Sequence, residues 1–133
     1  MIKFTEVRHI SIGIARDAAT VYAYASQPAN LPHWADGLGM GLLPQGDHWI
    51  IKTPDGDFRL DFTGQNPYGV LDHTVTLKDG TEIYVPMRVV PNGAGSEVTL
   101  TLFRQPEMDD AAFDKDAATM RRDLENLKRI LES

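Results

Sequence analysis

Cysteine is absent from the sequence, which excludes disulfides, thiolate nucleophiles and cysteine-ligated metals. No apolar run approaches the ~18 residues of a membrane-crossing helix. The opening Met1-Ile2-Lys3-Phe4-Thr5-Glu6 also lacks the apolar core of a secretory leader. A cytoplasmic location is therefore expected. Positive charge is in short supply: 13 Lys and Arg against 19 Asp and Glu leave a formal net charge of −6. Such a chain is repelled by nucleic acid and by anionic membranes. Its basic pairs, Arg121-Arg122 and Lys128-Arg129, are embedded among Asp123, Glu125 and Glu132. Internal repeats, linkers and low-complexity segments are missing too. Residues 1–133 are read as one domain, because two cores would leave each half too small to be stable.

Several chemistries lack their residues. The histidines His9, His33, His48 and His73 show neither His-x-His nor His-Glu-x-x-His spacing, so no metal is expected. No serine sits in a nucleophile elbow, and the carboxylates cluster at turns and near the C-terminus rather than as a glycosidase-like pair. Gly37-Leu38-Gly39-Met40-Gly41 looks superficially like a phosphate loop, but no strand enters it, no helix follows and Pro44 comes next. No cofactor is called for. These glycines read as backbone entering a strand near a cavity mouth.

What is present is β-type patterning between regularly spaced turns. Pro44-Gln45-Gly46-Asp47, Pro54-Asp55-Gly56-Asp57, Asn66-Pro67-Tyr68-Gly69, Asp79-Gly80 and Asn92-Gly93-Ala94-Gly95 are turn sequences. Between them Phe58, Leu60 and Phe62 alternate with Arg59, Asp61 and Thr63, and Val98, Leu100 and Leu102 alternate with Thr99 and Thr101. Six such segments predict an antiparallel meander with one buried face. Ile10, Ile12 and Ile14 mark an earlier strand. Asp17 is placed to cap a short helix over Ala18 to Ala25 that Pro28 stops, and Asn30 to Ala35 reads as one further turn ending at Gly37. At the C-terminus Phe113, Ala117, Met120, Leu124, Leu127 and Leu131 recur at spacings of four and three, a single apolar helical stripe. Asp109, Asp110, Asp114 and Asp116 load that helix's first half and Arg121, Arg122, Lys128 and Arg129 its second, complementing the helix dipole.

The fold class expected is α+β. About seven strands form a curved antiparallel sheet wrapped around the C-terminal helix, with two short helices after strand 1, the helix-grip order. Ile12-Gly13-Ile14-Ala15, Val21-Tyr22-Ala23-Tyr24-Ala25 and Pro28-Ala29-Asn30-Leu31-Pro32-His33-Trp34 resemble the opening of the START-like (SRPBCC) superfamily, which includes polyketide cyclase/dehydrase-like proteins. Gly69 to His73, Val85 to Val89 and Gly95 to Arg104 are similar to a bacterial branch of it. The resemblance spans essentially the whole chain. It implies the helix-grip fold and a range of functions: lipid carriers, hormone receptors, aromatase/cyclases and co-chaperone domains. For this chain it implies a small hydrophobic or aromatic ligand. A chain this short for the fold points to a small ligand or to a closed cavity.

Candidate residues follow from strand parity. His73 falls with Leu71, Val75 and Leu77 on the apolar face. It is either a neutral base and hydrogen-bonding group for a ligand, or a core histidine satisfied by backbone, by Asp72 or by a tyrosine. Arg104 ends the Val98-Leu100-Leu102 face, where it either meets an anionic ligand group or is ion-paired. Arg88 has the opposite parity from Met87 unless Pro86 marks a bulge. Trp34 and His33 lie on the short second helix over one end of the grip. Trp34, Met40, Trp49, Phe58, Phe62, Tyr84, Met87, Phe113 and Met120 are the candidate apolar lining, with ordinary packing as the alternative. The pocket is expected between the Phe113-to-Leu131 stripe and the face bearing Phe58, Phe62, His73 and Met87. A dry pocket of about 300 Å³ would cost about 7 kcal/mol, so it must be collapsed, wet or filled. Three functions remain open: a binding module, a cyclase-, dehydratase- or isomerase-type enzyme with His73 as general base, and a protein-interaction module. A monomer and a homodimer are both compatible with the sequence.

Overall fold

A computed structural model describes residues 1–35 and 41–133, and eight strands lie among them. Strand β1 (Val7–Ile14) is followed by α1 (Ala18–Ala25), a 3₁₀ turn (Pro28–Asn30) and α2 (Leu31–Trp34). Then come β2 (Leu42–Gln45), β3 (His48–Thr53), β4 (Gly56–Phe62), β5 (His73–Thr76), β6 (Glu82–Val85), β7 (Met87–Asn92) and β8 (Gly95–Phe103), and the chain ends in α3 (Asp110–Glu132). This is the helix-grip order. Asp17 caps α1 as expected, its carboxylate accepting from the Thr20 N–H at 3.2 Å.

The strands form two antiparallel ladders, β1-β8-β7 and β2-β3-β4-β5-β6. The segment between the Asp79-Gly80 and Asn92-Gly93-Ala94-Gly95 turns is one of the six expected strand segments, and here the structure differs. Pro86 has no N–H to give a ladder, so the segment breaks into β6 and β7 and the strand count rises from seven to eight. The ladders stay joined around the break. Leu71 N–H donates to Met87 O at 2.8 Å, Val89 N–H to Gly69 O at 3.0 Å and Thr101 N–H to Pro86 O at 2.9 Å. The approach at Gly69 is so close that a Cβ there would lie 2.2 Å from Val89 O, so only glycine fits.

Register decides which side chains face inward. Ile10, Leu100 and Met87 lie abreast across the first ladder. Trp49, Leu60, Val75 and Ile83 lie abreast across the second, as do Phe62, His73 and Val85. Helix α3 crosses these rows with the predicted stripe inward: Phe113, Leu124, Leu127 and Leu131 are buried, and Ala117 and Met120 partly so. Both of its ends are fastened. Asp109 caps the first turn through Ala112 N–H at 2.8 Å. At the other end Arg16 donates to Leu131 O at 2.8 Å, Ala15 N–H to Glu132 Oε2 at 2.7 Å and Lys128 Nζ to Gly13 O at 2.7 Å. None of the described helices is long and apolar enough to cross a membrane.

Candidate functional site

A cavity of about 370 Å³ remains between α3 and the curved sheet. Its sheet wall is apolar, built from inward rows that include Ile51, Phe58, Leu60, Val75, Ile83 and Val85, with Leu100 and Leu102 from β8. Leu31, Trp34 and Ala35 close one end from α2. The helix wall is different in kind. Asp116, Thr119, Met120 and Asp123 line it, a row at three- and four-residue spacing that flanks the apolar stripe.

His73 is one of the lining residues. Its ring stacks on Phe62 with centroids 5.2 Å apart and planes 4° from parallel. A carbonyl can only accept, so the 3.1 Å contact of Nδ1 with Leu71 O assigns the proton to Nδ1. Burial lowers the imidazole pKa, opposed by the Leu71 hydrogen bond and by the charge of Asp72. The ring is thus neutral at physiological pH. Among the described residues its Nε2 has no hydrogen-bond partner, and the atom is not sealed off. That lone pair is available to a donor.

Trp34 closes one end of the cavity without offering it a hydrogen bond. It is only 4% exposed, and its Nε1–H is buried without a partner. A buried orphan donor costs about 1–3 kcal/mol. The other such atom among the described residues is Ser96 Oγ, whose residue does not line the cavity. Asp116 is partly buried, and burial raises its pKa, with no hydrogen bond or cation among the described residues to lower it. Asp123 is 6% exposed and has an interaction of its own. No group of three or more described His, Asp or Glu side chains is arranged to hold a metal ion.

The predicted lining divides. Trp34, Phe58, His73 and Met120 are brought together on the cavity. Phe62 backs His73 rather than lining the space. Met87 and Phe113 are 1% and 0% exposed and are packed into the core beyond it. Trp49 shares the inward row with Leu60 but is not a lining residue. Tyr84 is corrected: Ile83 and Val85 face the cavity, so alternation turns Tyr84 to the outer face, where its hydroxyl donates to Asp72 Oδ2 at 2.9 Å. Arg104 is also displaced from the expected pocket mouth. It pairs with Glu6 at 3.0 Å and Asp110 at 2.8 Å, donates to Met108 O, and lies over the Phe113 ring. Its work is to fasten the start of α3. Arg88 keeps the outward parity and pairs with Asp72. Met40 and the Gly37 stop lie outside the described residues.

Sequence reasoning missed the polar row of α3. In the sequence Asp116 and Asp123 read as part of the helix's charge pattern, although each precedes a stripe position (Ala117, Leu124) by one residue. That adjacency was the available signal.

No family model matches the chain, and no curated protein matches it by sequence. Solved structures do match. DynU16, a protein in the dynemicin biosynthetic locus, superimposes with a TM-score of 0.71 at 17% identity over 96% of this chain, which spans 47% of DynU16. Ara h 8.0201 gives 0.70 at 6% identity over 96% of this chain and 98% of its own. The Aha1 dimer from Colwellia psychrerythraea gives 0.75 at 14% identity over 96% of both chains. At such identities the likeness is one of fold: the chain has the helix-grip fold, and a fold hosts many unrelated functions.

Proposed function

We propose that the protein binds a small hydrophobic or aromatic molecule in the cavity between α3 and the sheet, with His73 Nε2 holding its polar end. The observation that carries this reading is an unused acceptor, His73 Nε2, on the apolar sheet wall of the cavity. Energetics point the same way. Left dry, about 370 Å³ would cost about 9 kcal/mol at roughly 24 cal/mol per Å³, comparable with the roughly 5–15 kcal/mol stability of a whole domain. Water or a ligand must therefore occupy it. An apolar wall rewards the ligand: each Å² of apolar surface removed from water returns roughly 25 cal/mol. Native mass spectrometry of freshly purified protein, followed by a screen of aromatic and aliphatic compounds, should find binders tighter than about millimolar. A screen in which every compound stays weaker would sink the proposal.

A second reading is favoured by the same neutral imidazole. An enzyme of the cyclase, dehydratase or isomerase type would use His73 Nε2 as general base, with Leu71 O fixing the tautomer. It predicts that His73→Gln abolishes turnover of an identified substrate while binding survives. Undiminished turnover in that variant rules the assignment out.

A further inference from the structure

We infer that the cavity selects neutral apolar molecules that carry a hydroxyl, which donates to His73 Nε2, over ethers and carboxylic acids of similar shape. This deepens the binding proposal and rests on it. The inference starts from which hydrogen-bonding atoms of the lining are already engaged. His73 gives its Nδ1 proton to Leu71 O at 3.1 Å, so Nε2 carries a lone pair and no hydrogen. Stacking on Phe62, with ring planes 4° apart, holds that lone pair in a fixed direction. The remaining donors among the described lining side chains are used or sealed. Thr119 donates its hydroxyl to Lys115 O at 3.1 Å, and the Trp34 N–H is buried where no partner reaches it. Asp116 and Asp123 are carboxylates, and neither lysine nor arginine stands among the lining residues.

A lining composed this way accepts a hydrogen bond and has none to give. The inward row next to His73 on the same wall, with Leu60, Val75 and Ile83, takes the apolar body of the ligand. A molecule seated there displaces water from Nε2. A hydroxyl restores the lost hydrogen bond. An ether oxygen has no proton to offer, so Nε2 is left covered and unsatisfied, the costlier outcome. A carboxylate fares worse, because it brings no proton, finds no cation and loses its hydration in an apolar space. An unpaired polar group discriminates more sharply than one added methyl group does, so the larger apolar surface of an ether does not compensate.

Three probes of similar size separate the cases: naphthylmethanol, its methyl ether and naphthoate, titrated calorimetrically near neutral pH. The alcohol should bind roughly tenfold or more tightly than the ether, and naphthoate should bind weakest. His73→Phe keeps a ring to stack on Phe62 but removes the acceptor, and should bring alcohol and ether to the same affinity. His73→Leu repeats the comparison should the larger ring fail to fold. Equal binding of alcohol and ether by the wild type would overturn the inference while leaving the apolar-ligand proposal standing. So would naphthoate binding as tightly as the alcohol, or an alcohol preference that persists without the imidazole. Failure of all three probes to bind would overturn both.

Discussion

Asp72 and His73 are adjacent in the chain, and both have lowered pKa values, with opposite consequences for charge. At Asp72 burial raises the pKa, but Arg88, the Met87 N–H and the Tyr84 hydroxyl together outweigh it, so the carboxylate stays ionised. That one side chain ties β6 and β7 together across the Pro86 break. At His73 burial dominates and the ring stays neutral. Both shifts make the fold lose stability towards acid, because in each case the unfolded chain binds the proton more readily. The His73 contribution is complete above its ordinary value of 6.5 and is lost as pH falls through its lowered folded pKa. The Asp72 contribution is complete above its ordinary 3.8 and is lost below it. Thermal melts across the acid range should therefore show two legs. His73→Gln should flatten the upper leg. Asp72→Asn should reduce the lower one without erasing it, since Asp17, Asp47, Asp61, Asp79 and Glu132 are lowered too. An unchanged profile in both variants would contradict these roles. The orphan Trp34 N–H was not legible in the sequence, which marks a tryptophan but not whether its nitrogen finds a partner.

At the scale of the element, α3 carries distinct tasks on neighbouring faces. Its apolar stripe was legible because a 3.6-residue period survives any tertiary context that buries one face. Leu127 lies on it with no exposed surface. Leu127→Ala should cost about 2–5 kcal/mol, seen as a lower urea midpoint with an unchanged m-value. A loss well below that range would mean the stripe is not sealed against the sheet. The polar row beside it was illegible for a physical reason. A carboxylate one residue before a stripe position sits at the helix's flank, and only the curvature of the facing sheet decides whether that flank meets solvent or cavity. The Arg104 fastening is a similar case. Strand parity placed the residue at the end of an apolar face, but the acceptors Glu6, Met108 O and Asp110 were assembled from three separate segments.

Across the whole molecule the two ladders close around α3 incompletely, and the residual space is the consequence. Were that space only a packing defect, filling it would do nothing but stabilise. As a binding site it predicts a trade: Val75→Phe should raise or preserve the melting temperature and remove binding of naphthylmethanol. Retained binding would place the ligand elsewhere, for instance in the shallower groove of about 350 Å³ between α1 and β7 beside Tyr22, Tyr68 and Val90. The order of elements, the inward parity of most strands, the turns and the helical stripe were determined by the sequence alone. Each is set by local sterics and by a short-range period of apolar residues, which need no knowledge of the partner surface. The break at Pro86, the outward turn of Tyr84, the capture of Arg104 and the acidic flank of the cavity were decided only by the tertiary structure. They depend on which distant groups arrive beside a residue and on how tightly the sheet curves around the helix. The cavity between sheet and helix belongs to both: its apolar wall follows from alternation, and its unpaired polar groups follow from packing.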